Sequence, residues 1–160
     1  MKKGFLAEQP FLVILAVVVI AVILLIGFKF VLDSINLGKK LELHDLQEDL
    51  QSSLDYHNSI SPGSFSKQTF NTLSEINYIC FVDRNKPLNL DNIPDEKYKF
   101  LIESHTESNV FPIPYPYTIQ VNSFSLKGFF LDNNPLCVKA INSFTITLKR
   151  ESAGIKISDV

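Results

Sequence analysis

The 160-residue chain has no tryptophan, one methionine, six glycines and two cysteines. So few glycines leave little room for a phosphate-cradling loop, and no P-loop, nucleophile elbow or His-Glu-x-x-His pattern occurs. Two cysteines cannot hold zinc alone, and His44, His57 and His105 stand at no ligand spacing from them. His105 lies between Glu103 and Glu107, but its Ser, Thr and Asn neighbours read as a solvated loop. Asp83 and Asp132 sit among turn residues, where Asp ordinarily shapes backbone. The expectation is a non-enzyme with no catalytic residue, no metal and no cofactor. Asn-x-Ser/Thr is also missing, so glycan attachment at that motif is not expected.

Positive charge is scarce where nucleic acid would need it. Of fifteen basic residues, Lys2, Lys3 and Lys29 lie in the first 32 positions, against Glu8 alone of 17 acidic ones. The remainder is therefore acidic, which argues against nucleic acid as a partner.

What the chain does have is one long apolar stretch, Phe11 to Phe28, without a charge, an amide or a hydroxyl. Lys29 interrupts it and Phe30 to Leu32 resume it. At the rise of a helix this covers about 27–33 Å, the hydrocarbon thickness of a bilayer. A lone span must satisfy its own backbone, so a transmembrane helix over 11–32 is expected. A chain this short could hardly bury a helix that is apolar on all sides. The sequence after Phe28, Lys-Phe-Val-Leu-Asp, offers no small-residue site for an ordinary signal peptidase.

Residues 1–10 form a short basic leader or cytoplasmic tail. Lys2-Lys3-Gly4-Phe5, a short spacer with Glu8, and an unbroken apolar helix resemble the class III signal peptide of type IV pilins, particularly archaeal ones. That resemblance implies cutting beside Gly4 by a prepilin-type peptidase, with Lys2 and Lys3 as the basic leader and Phe5 beside the cut. It also implies an assembly role for Glu8, paired with the N-terminal amine of a neighbouring copy in a cell-surface filament. Glu8 falls fourth after a cut at Gly4, whereas the family usually has it fifth; a cut after Lys3 restores that spacing. The alternative is an uncleaved anchor. Lysines flank the span on both sides, so their count does not orient it. The leader and the resemblance favour a single pass with the N-terminus cytoplasmic and the bulk outside.

Residues 33–58 keep a helical pattern, with Leu37, Leu41, Leu46, Leu50 and Leu54 on one stripe and Leu43 beside it. Glu42, Asp45, Glu48, Asp49 and Asp55 fill the other face. This predicts an amphipathic helix, continuous with the span or hinged at Gly38. Ser59-Ile-Ser-Pro-Gly-Ser-Phe-Ser, residues 59–66, reads as a hinge.

Residues 67–160 read as a β-rich head. Ile76 to Val82 is apolar on both faces and predicts a central strand; Glu96 to Glu103 fits a short helix or an edge strand. Asn109–Ile113 and Tyr117–Asn122 predict strands, with Pro112, Pro114 and Pro116 confining that region to a sheet edge. Strands are expected at Gly128–Leu131, Leu136–Ala140, Phe144–Lys149 and Ile155–Ile157, read together as an antiparallel meander. The head is similar to small uncharacterised archaeal membrane proteins in its Cys-Phe-Val-Asp, Asn-Val-Phe and Leu-Cys segments, which implies no activity.

Cys80 and Cys137 both lie in strand-like runs. In an oxidising exterior a bridge between them is favoured and contributes ~3–4 kcal/mol by chain entropy; two buried thiols are the alternative. Phe111, Tyr115 and Tyr117, among prolines, are the candidates for surface binding. The fold expected is α+β: a long N-terminal transmembrane helix with an amphipathic extension, then a mainly antiparallel β head. Two functions fit: a type IV pilin-like subunit self-associating through its helix, or a membrane-anchored binding module that does not polymerise.

Overall fold

The computed structural model describes residues 8–114 and 123–160. The first element, α1, is one α-helix over Glu8–Ser59. Pro10 falls in its first turn, where a missing N–H costs no internal bond. Gly27 and Gly38 both fall within this helix. Pro62 and Gly63 follow its end, and Gly63 takes a φ of 94°, a conformation that favours glycine.

The chain divides into two compact units, Met1–Lys40 and Leu41–Val160. In the first, every residue from Leu12 to Ile35 is exposed. This stretch is long and apolar enough to cross a membrane. The second unit is the β-rich head together with the C-terminal turns of α1.

Among the described residues the head holds two sheets. Strands β1 (Phe65–Asn71), β6 (Ser143–Glu151), β7 (Gly154–Ser158) and β4 (Phe129–Leu131) form a four-stranded sheet in the order β1-β6-β7-β4. Strands β3 (Val110–Pro114), β2 (Ile76–Phe81) and β5 (Leu136–Lys139) form a three-stranded one in the order β3-β2-β5. β2 is central, as its apolar faces predict, and proline-bearing β3 lies at an edge, where a missing donor does least harm.

Two corrections concern the ends of the head. β1 begins at Phe65, inside the stretch read as hinge, so residues 65–66 belong to a sheet. The tail is not one meander: β6 and β7 are an antiparallel hairpin, but β4 runs parallel to β7, and β5 belongs to the other sheet. Asp132 to Pro135 therefore carries the chain between sheets instead of turning it back. Asn134 anchors that crossing, buried at 6% exposure and bonded to the loop after β2.

The main core lies between the sheets. Phe70, Phe144, Ile146, Leu148, Ile155 and Ile157 face it from the four-stranded sheet, and Ile79, Phe81 and Val138 from the other. Leu46, Leu50 and Leu54 of α1 complete it, four residues apart and thus on one helical face. Leu37 and Leu41, read as part of that stripe, are exposed. A second core covers the other face of the smaller sheet. There Cys80, Val82, Phe111 and Ile113 meet Tyr98 and Ile102 from α2 (Glu96–Ser104). Asp95 caps α2, its carboxylate accepting the Lys97 N–H, which satisfies an otherwise orphaned donor.

Candidate functional site

The apolar part of α1 is the most unusual surface of the molecule. Leucine, valine, isoleucine and phenylalanine at Leu12 to Leu32 are 45–73% exposed on every side of the helix. An exposed apolar surface of this extent marks a membrane or protein interaction site. Glu8 is the first residue of α1. Lys2, Lys3, Gly4 and Phe5 lie outside the described residues, as do Tyr115 and Tyr117.

Phe111 is a correction. Its ring is fully buried, against the second core on one side and 5.5 Å below the Arg84 guanidinium on the other. It cannot offer a surface to a ligand. The surrounding prolines suggested an exposed edge, and the edge position is real, but Phe111 faces inward.

Cys80 and Cys137 form a disulfide across β2 and β5, with Cα atoms 4.0 Å apart. They occupy a narrow, non-hydrogen-bonded pair of the antiparallel ladder, where side chains approach most closely.

The acids flagged as turn residues have structural surroundings. Asp83 is buried and its carboxylate accepts the Asn85 N–H. Asp132 is ion-paired with Lys156, whose hydrogen bond holds the carboxyl below its ordinary range. His105 bonds back to the Leu101 carbonyl at 3.0 Å. Among the described residues, no group of three or more His, Cys, Asp or Glu could hold a metal ion.

Two features were not foreseen. His57 is buried at 1% exposure, with Nδ1 2.8 Å from the Ser53 carbonyl and Nε2 2.6 Å from Ser66 Oγ. Both ring nitrogens are satisfied if Nδ1 carries the proton and Ser66 donates to Nε2. That pairing ties α1 to β1 within the head.

The other feature is the outward face of the four-stranded sheet. Register places Phe65 beside Lys149, Lys149 beside Lys156, and Lys156 beside Phe130, so one row crosses all four strands as Phe-Lys-Lys-Phe. Lys67 and Thr147 follow in the next row, and Thr69 and Thr145 share a 2.9 Å hydroxyl bond beyond it. Lys86 reaches over the Phe130 ring, 5.4 Å from its centre. The sequence signal was strict alternation in β6, where Phe144, Ile146 and Leu148 point in and Thr145, Thr147 and Lys149 point out. No protein-family model, curated protein or solved structure matches this chain.

Proposed function

We propose that this chain is a membrane-anchored structural subunit of the type IV pilin-like kind, whose apolar N-terminal helix packs against copies of itself. The observation that carries this reading is the unbroken α1, Glu8–Ser59, with no stop at Gly27 or Gly38. Its apolar part is exposed from Leu12 onward, and Leu46, Leu50 and Leu54 of its last turns lie in the core of the head. A simple tether needs no such continuity, and a flexible linker serves it as well. The Cys80–Cys137 disulfide supports an oxidising compartment for the head, and with it a cytoplasmic N-terminus.

Glu8 is the assembly residue in this reading, Lys2 and Lys3 the leader, and Gly4 the peptidase site. Neither an enzyme activity nor a cofactor enters it. The test is the intact mass of protein taken from its native membrane or filament. Loss of residues 1–3 or 1–4 is expected, and Gly4→Leu should block that loss together with assembly. An unprocessed chain beginning at Met1 would contradict the proposal.

A second reading, a single-pass anchored module that binds a foreign partner and does not polymerise, draws on the outward Phe-Lys-Lys-Phe face, which no element covers among the described residues.

A further inference from the structure

The outward sheet face concentrates cations on an otherwise acidic head. Lys67, Lys149 and Lys156 project from it and Lys86 lies over its Phe130 end; the acids that face them are Glu151, 3.1 Å from Lys149, and Asp132, paired with Lys156. Phe65, 71% exposed, closes the opposite end. Cations therefore outnumber acids on this face, and no element of the head covers it among the described residues.

The complementary surface belongs to the same chain. On α1, Glu42, Asp45, Glu48, Asp49 and Asp55 are all exposed; Glu42, Asp45 and Asp49 flank Leu46 of the buried stripe, and Glu48 and Asp55 point away from it. His44 also faces solvent there, 3.4 Å from Glu48. Glu42, Asp45 and Asp49 line one wall of an open groove whose other wall is Asn71, Thr72 and Leu73. A lysine side chain entering that groove would meet three carboxylates along its length.

One head cannot bring these surfaces together. Leu46, Leu50 and Leu54 share a core with Phe144, Ile146 and Leu148, which point inward from the sheet that carries the lysines outward. The acidic helix face and the basic sheet face therefore look away from a common core in different directions.

We propose that the Phe-Lys-Lys-Phe sheet face docks the acidic α1 face of a second copy of this chain. The inference rests on the filament reading and adds the head surfaces that set its register. Charge complementarity selects the partner: among the surfaces described, the acidic helix face is the one rich in the opposite charge. The contact is heterologous, since each copy offers one surface and receives on the other. Each docked copy leaves a free surface of both kinds, so the contact propagates from copy to copy, as a ring where the rotation closes and as a filament where it does not. The lysines, 49% exposed at Lys149 and 26% at Lys156, serve register and discrimination more than affinity.

The test uses full chains with and without nitrogen-15 labelling, co-assembled in membrane or detergent and joined by zero-length carboxylate–amine coupling. Mixed-isotope peptides linking Lys149 or Lys156 to Glu42, Asp45 or Asp49 are the expected result. The charge-reversed pair Lys149→Glu and Lys156→Glu removes those amines and should reduce co-assembly about tenfold, and Asp45→Lys with Asp49→Lys in the same chain should restore it, with links of reversed polarity between the same positions. Assemblies that form without such links would overturn this inference and leave the filament reading standing. A chain that neither assembles nor gives the links would overturn both. Retention of the chain on polyglutamate beads, lost in the Lys149→Glu, Lys156→Glu variant and accompanied by no mixed-isotope link, would assign the face to a foreign anionic polymer and overturn the self-docking assignment.

Discussion

Asn134 and Asp83 are joined by a reciprocal pair of bonds: the Asn134 side chain accepts the Asp83 N–H at 2.9 Å and donates to the Asp83 carbonyl at 2.8 Å. One amide thereby replaces a residue of ladder between two segments distant in sequence. Asn134 Nδ2 also lies 3.0 Å from the Lys86 carbonyl and 3.2 Å from that of Pro87, closing the loop after β2 around one buried group.

Replacing Asn134 with alanine leaves the Asp83 N–H without its partner in a buried site and removes the donor to the Lys86 and Pro87 carbonyls, while the Asp83 carbonyl keeps the Lys86 N–H. The expected loss is about 2–4 kcal/mol of unfolding free energy, since an orphaned buried polar group costs more than the bond it made. Chemical denaturation of full-length protein in detergent measures it. Unchanged stability would mean that water replaces the amide.

Arg84 fixes α2 in a similar way. Its Nε and one terminal nitrogen donate to the Ser108 carbonyl, and that nitrogen also reaches the carbonyls of Ile102 and His105. A cation at the C-terminal end of a helix opposes the negative pole there, and burial lowers the guanidinium's pKa without discharging it. Lysine cannot reproduce the fork or the stacking on Phe111. Arg84→Lys should cost about 1–3 kcal/mol, with amide exchange accelerating in α2 before β6. Uniform acceleration in both elements would argue against a local anchor.

The disulfide joins positions 57 residues apart, and the chain-entropy relation assigns such a crosslink about 4 kcal/mol. Cys80→Ala with Cys137→Ala should lose most of that. Protein unfolded without reductant should resist thiol alkylation, and should react at both cysteines after reduction. Two freely reactive thiols in material from the native membrane would refute the bridge and remove the support it gives to an external head.

Asp132 and Lys156 give a pH signature. Their hydrogen bond lowers the carboxyl below 3.8 and raises the ammonium above 10.5. The Asp132 contribution is present above 3.8 and is lost as pH falls through the depressed value. The Lys156 contribution is present below 10.5 and is lost as pH rises through the elevated one. Asp132 is exposed and Lys156 partly so, and the effect is small and fades with salt. Asp132→Asn should flatten the acid limb of a thermal-midpoint profile measured at low salt. An acid limb identical to that of the parent would contradict the pairing.

Legibility from sequence followed how local each signal was. The apolar run of α1 and the alternation of β6 declare themselves within one element, because burial imposes a period on neighbouring residues. Central β2 was readable for the same reason. β1 was not: its sequence, Phe-Ser-Lys-Gln-Thr-Phe-Asn, follows a Pro-Gly turn and buries only Phe70 fully, so it resembles loop. Parallel pairing of β4 with β7 depends on a crossover that no local pattern encodes. The burial of Phe111 was hidden because the arginine over its ring lies far away in the chain. Cross-strand rows such as Phe65–Lys149–Lys156–Phe130 exist only once register is known.

The central claim, a helix that assembles with copies of itself, is tested most directly at Glu8. In an isolated anchor this carboxylate would lie among headgroups within reach of water, and Glu8→Gln should change almost nothing. In a pilin-like assembly it pairs with a neighbour's amine where helices crowd, and removing one partner of such a pair costs ~3–5 kcal/mol at every contact. The measurement is the ratio of assembled to membrane-retained protein for Glu8→Gln, beside Glu103→Gln as an exposed control. The account predicts that assembly collapses for Glu8→Gln alone while the inserted subunit persists at normal levels. Equal assembly of both variants would contradict it.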